Sequence, residues 1–536
     1  MRFVLVLSIV AACRGEQPSS RAAVVAVVGE GPKPAIAEST IAAADYIGPA
    51  ACGECHPDQL AAWTASLHRV MNQRAEGDAV IAPFEGALRY RGGEVRFERE
   101  RDGGRAITFA RGGEMIRYRV TRTIGHRGLQ ELVGVVDGGD GEEVRLPVGW
   151  WPRRGGWYPQ PYFDPWLTEE GLDVYAAVRE PWAERCPWCH STYPFEQRIA
   201  RAAGPRALGH GMEQYFTLPA ARGSAVSVDR LVTEQQVTTG ISCESCHLGG
   251  RAHAAGGSIH LVPIGAEPKP HAPVATTFAI ERADATIVNT VCAQCHSGPS
   301  PRLPDGSATR NSSEAIDLAA SPCTTAKCTD CHDPHRGGSS ETRAIEACTS
   351  CHSVLGDPAA ARAHAGSGHA SVSCLDCHMP RITMGIDRYV RSHRISSPTD
   401  RVMLAAAAPN ACNLCHLDQS IEWTLDELRA RHDVRPAVGN LGAYGDSDEA
   451  VGAVWLASPE ADIRVTAAHA YARSPLGRYA LADLLRLLDD PLPYVRAWGV
   501  FAVEDILGRK LADADYDPRA PAEVRRRQLA NRAKFR

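Results

Sequence analysis

A single five-residue pattern occurs eight times in this chain and constrains it more than any other feature. Each copy reads Cys-x-x-Cys-His, and together the copies use 16 of the 18 cysteines. From the Cys and His content of the chain, chance would supply roughly 0.02 copies in a sequence of this length. The copies begin at Cys52, Cys186, Cys243, Cys292, Cys328, Cys348, Cys374 and Cys412. Any fold must therefore meet one chemical requirement at eight points.

This pattern is the attachment sequence for a c-type haem. Two thioethers fix the porphyrin edge to a short turn, and the adjacent His then lies beneath the iron as its proximal ligand. Structural zinc, a redox pair and a disulfide framework also use Cys-x-x-Cys, but none requires a His after every second Cys. We expect eight covalently bound haem c groups, held by the cysteine pairs Cys52 and Cys55, Cys186 and Cys189, Cys243 and Cys246, Cys292 and Cys295, Cys328 and Cys331, Cys348 and Cys351, Cys374 and Cys377, and Cys412 and Cys415. The proximal ligands would be His56, His190, His247, His296, His332, His352, His378 and His416.

The composition favours a thin protein fold around these groups. The chain has 536 residues, of which only 6% are aromatic, so the porphyrins would supply much of the hydrophobic bulk. We expect a mainly α, loop-rich multihaem core that needs its cofactors to fold, with a small antiparallel β region and a C-terminal helical repeat. The formal charge is −5 with acidic and basic residues well mixed, which gives no indication of nucleic-acid binding.

The N-terminus indicates export. MRFVLVLSIVAAC contains one Arg and ten apolar residues, which is too short for a membrane span and typical of a signal peptide over residues 1–12. The sequence before Cys13 resembles a bacterial lipobox and predicts a lipid on that cysteine; an ordinary export signal is the alternative. Residues 13–45 read as a flexible tether. We expect a periplasmic or outer-membrane-anchored lipoprotein, with an extracellular position possible.

The attachment motifs are spread unevenly. The first stands alone in residues 46–83, and seven lie in residues 166–430, five of them beginning between 292 and 412. Residues 84–165 alternate apolar and polar side chains between Gly-rich turns, which predicts hairpins with Val95, Phe97, Ile116, Tyr118 and Val120 all pointing one way. The aromatic loop GWWPRRGGWYPQPYFDPW follows. We expect it to seal the sheet against the haem core; lining a substrate or partner site is the alternative.

Residues 440–536 contain no Cys and have a helical pattern. Arg464 and Arg496 recur within similar segments, which resembles HEAT-type helical repeats, followed by a basic tail. Because two repeats cannot bury a core alone, they should dock on the cytochrome or on a partner.

Twelve histidines remain for the distal side of the irons. Two trans imidazoles need α-carbons roughly 12 Å apart, whereas three residues span at most about 10–11 Å, so His335 should not cap the haem at His332 but a neighbouring one. The expected distal ligands are His68, His253, His335, His364, His369 and His393. His126, His260 and His271 are possible ligands with loop roles as the alternative, His210 is a weaker candidate, and His432 and His469 should be structural. Cys323 should be a buried thiol.

Several segments resemble a known family. CTDCHDPH, CTSCH, CLDCHMPRITMGIDRYVRSHRISSPTD and APNACNLCHLDQS are similar to bacterial multihaem cytochromes related to the tetrahaem cytochrome c of ammonia oxidisers, and specifically to octahaem members with C-terminal repeats. ACGECHPDQLAAWTASLH and CESCHLGGRAH resemble that family's first-haem and His-after-haem segments. The resemblance implies distal roles for His68, His253, His335, one or both of His364 and His369, and His393, and it does not imply one for His126. Related octahaem enzymes often replace one attachment His by Lys, which this chain does not.

Two functions follow as hypotheses. The first is an electron carrier in which closely packed, mostly bis-His haems connect membrane or periplasmic redox partners. The alternative is an oxidoreductase acting on a small nitrogen or sulfur compound at one haem that lacks a sixth ligand. A third, weaker hypothesis makes the repeats a docking module within a larger assembly.

Overall fold

The computed structural model describes residues 39–159, 173–176, 179–197, 212–217, 236–272, 284–337, 340–398, 404–406, 408–435 and 441–536. The predicted signal peptide, Cys13 and His210 lie outside these residues. The described residues form two compact units. The first comprises those up to Gln73 and those of Trp182–Pro299 and Glu314–Ala363; the second comprises those of Arg74–Pro181, Ser300–Ser313 and His364–Arg536. Within the described part of the chain, no helix has the length and apolar character to span a bilayer.

The first unit consists of short helices joined by loops. Its α-helices are Gly48–Gly53, Pro57–Thr64, Leu67–Val70, Trp182–Arg185, Pro187–His190, Arg251–Ala254, Ala285–Ala293, Glu314–Ala319, Cys328–Cys331, Glu341–Cys351 and most of Pro358–Ala365. Its 3-10 turns are Ala43–Asp45, Met212–Gln214, Cys243–Ser245 and Ser353–Gly356. Two-residue strands pair as Ser191–Thr192 with Thr238–Thr239 and as Phe216–Thr217 with Glu267–Pro268, and Asn72–Arg74 leads into the second unit.

The second unit is built on an antiparallel meander of seven consecutive strands. They are Ala87–Tyr90, Gly93–Arg99, Arg105–Arg111, Glu114–Ile124, Gln130–Val136, Val144–Trp151 and Gly156–Pro159, and Glu180–Pro181 pairs with the sixth. The alternation buries Val95 and Phe97. The Phe97 ring stacks on Trp157 of the last strand at 3.7 Å between centroids, so the sheet curls around its own core.

The prediction of a mainly α core with a small β region is therefore wrong. Side chains from nearly every strand of the meander, including Ile107, Leu132 and Leu146, close one hydrophobic core that belongs to the sheet itself. The sheet is thus a self-supporting part of the fold rather than an insertion on a helical core. Tyr118 and Val120 point inward as predicted. Ile116 is 44% exposed, because it lies near the start of its strand, where the strand extends past the core.

Helices make up the rest of the second unit. They are Cys374–His378, Ile421–His432, Val451–Leu456, Ala461–Ala472, Leu481–Leu487, Pro493–Leu507 and Ala522–Ala530. The 3-10 turns are Gly77–Ala79, Ser367–His369, Leu441–Tyr444, Pro475–Arg478 and Arg532–Phe535, and the strands Thr383–Met384 and Tyr389–Val390 form a hairpin. The C-terminal helices share one hydrophobic core with Leu414, which lies inside the last attachment motif, and with Leu417 and Tyr389, which follow the last two motifs. They therefore pack on the motif-bearing part of their own unit.

The aromatic loop packs against these helices. The Trp151 ring lies 4.3 Å from the Phe501 ring, and Arg154 pairs with the buried Glu504 at 2.5 Å. The described part of the loop thus packs between the sheet and the helix Pro493–Leu507, whereas the sequence predicted that it would pack against the haem core. Residues 160–166 of the loop lie outside the described residues.

Candidate functional site: the Cys-x-x-Cys-His turns and their histidine partners

The attachment motifs share one local geometry. In six of them the His backbone N–H donates to the carbonyl of the first Cys, at 3.0 Å in Cys52–His56, 2.8 Å in Cys243–His247, 3.0 Å in Cys292–His296, 3.0 Å in Cys328–His332, 2.9 Å in Cys348–His352 and 2.9 Å in Cys412–His416. This bond between residues four apart closes one helical turn. The turn brings the imidazole and both thiols of a motif into one short segment, as thioether attachment with a proximal His needs.

The attachment cysteines differ in how far the protein covers them. Four of the sixteen are exposed, namely Cys55, Cys351, Cys374 and Cys415, and the others, Cys189 among them, are half-buried. The Cys55 N–H donates to the Cys52 carbonyl at 3.3 Å, whereas Cys189 lies within the helix Pro187–His190. The second cysteines of the first two motifs are thus held in their turns by backbone geometry. Covalent haem attachment at Cys55 and at Cys189 stays a prediction.

Buried polar side chains hold individual motifs in place. Glu244, in the motif Cys243–His247, is 1% exposed and accepts from the backbone N–H groups of Ile47 at 3.0 Å, Gly48 at 2.7 Å and Gly250 at 2.8 Å. Because Gly48 begins the helix that carries Cys52, Glu244 fixes the first motif against the third. Sequence reasoning missed this role, since the middle residues of the motif vary freely.

Two asparagines serve the later motifs. Asn289 accepts from the Cys328 N–H at 2.9 Å and donates to the Ala326 carbonyl at 2.9 Å, which joins the fifth motif to the helix that carries Cys292. The buried Asn413 accepts from Asn410 and Thr424, each at 2.9 Å. These contacts set the orientation of the motif turns before any cofactor contact is considered.

Four motif histidines each lie opposite a second histidine. In the first unit His56 faces His253 with ring centroids 6.1 Å apart, and His247 faces His335 at 6.3 Å. In the second unit His378 faces His364 and His416 faces His369, both at 6.1 Å. The ring planes lie within 15° of parallel in the first three pairs and at 77° in the fourth.

These spacings fit one iron per pair. Metal–imidazole bonds of about 2 Å, with about 1.1 Å from each nitrogen to its ring centre, place two trans imidazoles about 6.2 Å apart between centroids. Each pair combines one motif His with one histidine expected on the distal side. The residues present therefore suit bis-His haem ligation at these four motifs, and His335 faces a motif other than its own.

His68 and His296 form a fifth candidate pair, which is indicated by their electrostatic interaction. Burial first, and the neighbouring His296 imidazole second, lower the pKa of His68. The helix Pro57–Thr64 ends with Ala65 as its C-cap, and Ser66 then caps the next helix, Leu67–Val70, by accepting from the Arg69 N–H at 3.4 Å. The Ile241 N–H donates to the His68 carbonyl at 3.0 Å and holds this short helix beside the segment that leads into the motif Cys243–His247.

The imidazoles of the first and third motifs form one group. Burial, followed by the surrounding imidazoles, lowers the pKa of His247 to about 4; those imidazoles belong to His335, His253 and His56. A neutral imidazole is the form that binds a metal. The two histidine pairs therefore lie beside each other in the first unit.

Three axial candidates have their second ring nitrogen occupied by a backbone carbonyl. The Nδ1–H groups donate to Gly257 from His253 at 3.2 Å, to Ala365 from His369 at 2.9 Å and to Ser396 from His378 at 2.8 Å. Each bond fixes the tautomer and leaves Nε2 for a metal.

The attachment cysteines of different motifs also adjoin. The neighbouring Cys243 thiol, followed by burial, raises the pKa of Cys52, and the Cys328 thiol does the same for Cys292. Burial and then Cys348 raise the pKa of Cys331 to about 11. In the second unit, burial and then Cys377 raise the pKa of Cys412 to about 11. Porphyrins attached at these positions would have their edges close together.

The remaining histidines occupy other settings. The exposed His271 has its Nε2 3.1 Å from the Gln214 carbonyl, and His260 is buried. His126, His393 and His432 are half-buried. His469 is buried, with its ring 4.5 Å from Tyr389 and its Nε2 donating to the Trp498 carbonyl at 3.1 Å, which is a packing role.

His352 differs from the paired motif histidines, because its ring contacts no other ring in the described part of the chain. Cys323 is half-buried, where a buried thiol was expected. Among the described residues there is no disulfide, and no group of three or more His, Cys, Asp or Glu side chains is arranged to hold a metal ion by itself.

One contact beside a motif was not anticipated from the sequence. The Glu314 Oε2 atom lies 3.2 Å from the His296 Nδ1 atom. Glu314 follows His296 by 18 residues, and no local pattern connects the two.

Paired imidazoles beside Cys-x-x-Cys-His turns are the arrangement of a c-type cytochrome with several haems. Residues 363–439 match the model of the cytochrome c552 family. This segment contains the motifs Cys374–His378 and Cys412–His416 together with His364, His369 and His393. The match covers this segment alone, and within it supports covalently bound haem c, iron and electron transfer.

Other comparisons add little. Among curated proteins no sequence matches the chain. The solved structures include an outer cell wall cytochrome, OcwA, with 15% identity and a TM-score of 0.37 over 92% of this chain and 100% of that one. They also include the Wolinella succinogenes octaheme sulfite reductase MccA, with 18% identity and a TM-score of 0.33 over 88% of this chain and 84% of that one. Similarities this weak carry no argument about fold or function.

Proposed function

We propose that the protein is an exported octahaem c-type cytochrome that carries electrons between redox partners. The observation that carries the proposal is the set of four motif imidazoles, each with a second imidazole at 6.1–6.3 Å. Two imidazoles on one iron occupy both axial positions, which leaves no place for a substrate and favours simple electron exchange. The bound haems would supply one-electron chemistry; the protein's part is to hold their axial ligands and their spacing.

The spacing of the attachment sites supports a connected path. In the first unit, the thiols of Cys52 and Cys243 are hydrogen-bonding neighbours, as are those of Cys292 and Cys328. Cys246 is near enough to Cys292, and Cys348 near enough to Cys331, to raise the pKa of each neighbouring thiol. In the second unit Cys377 and Cys412 are neighbours. Closely spaced centres let electrons pass without movement of the polypeptide.

The cellular setting is part of the proposal. A signal peptide over residues 1–12 and a lipid on Cys13 would hold the protein at a bacterial membrane outside the cytoplasm, in the periplasm or on the outer membrane. Its partners would be a membrane or periplasmic electron donor and an acceptor. The C-terminal helices, if they are HEAT-like repeats, offer a surface for docking a partner.

Haem content and electron capacity test the proposal together. Intact-mass measurement of the holoprotein should give eight haems per chain, and anaerobic titration with a one-electron reductant should consume eight electrons per chain. Replacing Cys374 and Cys377 by Ser should lower both numbers to seven. Unequal numbers in the wild type, or a variant that keeps all eight haems, would contradict the assignment.

A second function is favoured by one observation. His352 contacts no other ring within the described residues, and Cys351 beside it is exposed. An iron on His352 would then have an accessible sixth position, where a small nitrogen or sulfur compound could bind and react. In this case the oxidised protein should show one high-spin ferric signal that nitrite or sulfite perturbs. The signal should disappear when Cys348 and Cys351 are replaced by Ser. Eight low-spin signals would exclude this function.

A further inference from the structure

We propose that Glu314 is a positioning residue that lowers the reduction potential of the haem attached at Cys292 and Cys295. The motif Cys292–His296 is called the hub motif here, because attachment segments of three others adjoin it. This inference rests on the proposed haem at that motif and goes beyond the carrier function, since it assigns different potentials within the chain.

The central position of the hub motif follows from its neighbours. Cys328 and Cys246 are both close enough to Cys292 to raise the pKa of its thiol. On the other side, the Cys295 Sγ atom lies 3.8 Å from the carbonyl oxygen of Trp188, in the motif Cys186–His190. The second, third and fifth motifs therefore meet at the fourth. Electrons that move between any two of them would have the hub haem within reach.

Glu314 is fixed against the proximal ligand of this motif. His296 Nδ1–H donates to Glu314 Oε2 at 3.2 Å, and the Ala315 N–H donates to the His296 carbonyl at 3.0 Å. Both contacts come from the first turn of the helix Glu314–Ala319. The carboxylate is therefore held by the backbone of its own helix start rather than by a flexible loop.

The contact changes the electronic character of His296. A carboxylate acceptor on Nδ1 makes the imidazole a stronger donor through Nε2 and brings a negative charge close to the metal. Both effects favour the ferric state over the ferrous state. The three axial candidates whose Nδ1 partners are backbone carbonyls, His253, His369 and His378, lack this charge.

A lower potential at the centre has a functional consequence. When a reduced neighbour gives one electron to the hub haem, that neighbour becomes ferric, and the electron then passes to another neighbour of higher potential. Glu314 would thus favour electrons on the neighbouring haems, so that they pass through the hub haem without remaining on it. Its side chain is 25% exposed, so solvent screens part of the effect.

The test is a potentiometric titration of the holoprotein followed by EPR. In Glu314→Gln, which keeps the size of the side chain and an acceptor, the potential of one low-spin haem should rise. We expect about a tenfold change in its ratio of reduced to oxidised form, which is about 59 mV for a one-electron couple. Glu314→Asp should restore part of the shift. Glu267→Gln, an exposed charge change in the same unit, should leave all potentials unchanged.

The outcomes separate this inference from the proposed function. The role of Glu314 is wrong and the carrier function stands if all haems are present and low-spin but no potential moves in Glu314→Gln. The same conclusion follows if several potentials move together in Glu314→Gln and Glu267→Gln moves them as well. If replacing Cys292 and Cys295 by Ser removes no low-spin haem signal that the wild type shows, the hub haem is not low-spin and the proposed function itself fails. Should Glu314→Gln not mature, Glu314→Asp gives the same test with a smaller shift.

Discussion

Removing the carboxylate of Glu244 is expected to weaken the first unit more than any other change of a single charge in a motif. Its two oxygens accept from the N–H groups of Ile47, Gly48 and Gly250 at 2.7–3.0 Å, and the side chain is 1% exposed. Water therefore cannot replace the acceptor. The three donors belong to the segment before Cys52 and to the segment after His247, so the carboxylate joins two haem-binding regions.

The size of the effect follows from the number of donors. A hydrogen bond to a charged group contributes about 1.5–3 kcal/mol, and a buried donor left unpaired costs about 1–3 kcal/mol. Glu244→Gln keeps Oε1 for Ile47 and Gly250 but turns an N–H group towards that of Gly48, so we expect a loss of about 2–3 kcal/mol in the free energy of unfolding. Glu244→Ala leaves all three donors unpaired and should cost about 4–6 kcal/mol.

Guanidinium titration of the holoprotein, followed by circular dichroism and by the haem absorption band, measures both losses. Glu267→Gln is the matched control, because Glu267 is exposed and lies in the same unit. The reasoning would be refuted if Glu244→Gln unfolded at the same denaturant concentration as the wild type and the control. It would also be refuted if Glu244→Ala were no less stable than Glu244→Gln.

Two further predictions concern the second unit. Burial lowers the pKa of His469 to about 3, below its unfolded value near 6.5. The unfolded chain therefore takes up the proton first, and stability is lost as the pH falls below about 6.5, by up to about 1.4 kcal/mol per pH unit. In His469→Gln, denaturant titrations across this range should show a shallower slope of unfolding free energy against pH, and an unchanged slope would contradict the assignment. Among the described residues, Arg154→Ala leaves the Leu511 N–H and Lys510 as the partners of Glu504, whose side chain is 2% exposed, and should cost about 3–5 kcal/mol. A thermal melt against the exposed control Arg127→Ala measures this loss, and equal melting temperatures would disprove it.

The sequence predicts the attachment residues because their chemistry is local. Two thioethers and a proximal His come from five consecutive residues, so no tertiary contact is needed to recognise them. Chain length also restricts His335, which is too near His332 to serve the same iron. Which neighbour it faces, His247, depends on the path of the 87 intervening residues and could not be read from spacing.

The remaining parts depend on long-range packing. His364 and His369 were interchangeable in the sequence, and the structure places one beside His378 and the other beside His416. The sequence predicts single hairpins but not the size of the sheet, because the sheet is stabilised by rings such as Phe97 and Trp157 that meet across the whole meander. No sequence pattern marks Glu314, because a single carboxylate has no recognisable role until the fold places it beside His296.

The most direct test of the account is low-temperature EPR of the fully oxidised holoprotein in wild type and two histidine variants. The wild type should contain at least five low-spin ferric haems, from the motifs whose proximal ligands are His56, His247, His296, His378 and His416. His335→Ala should convert one low-spin signal to high-spin, because it removes the imidazole 6.3 Å from His247. His271→Ala, whose Nε2 contacts the Gln214 carbonyl, should leave the spectrum unchanged. An unchanged spectrum in His335→Ala, or the same conversion in both variants, would contradict the pairing of histidines on which the proposed electron path depends.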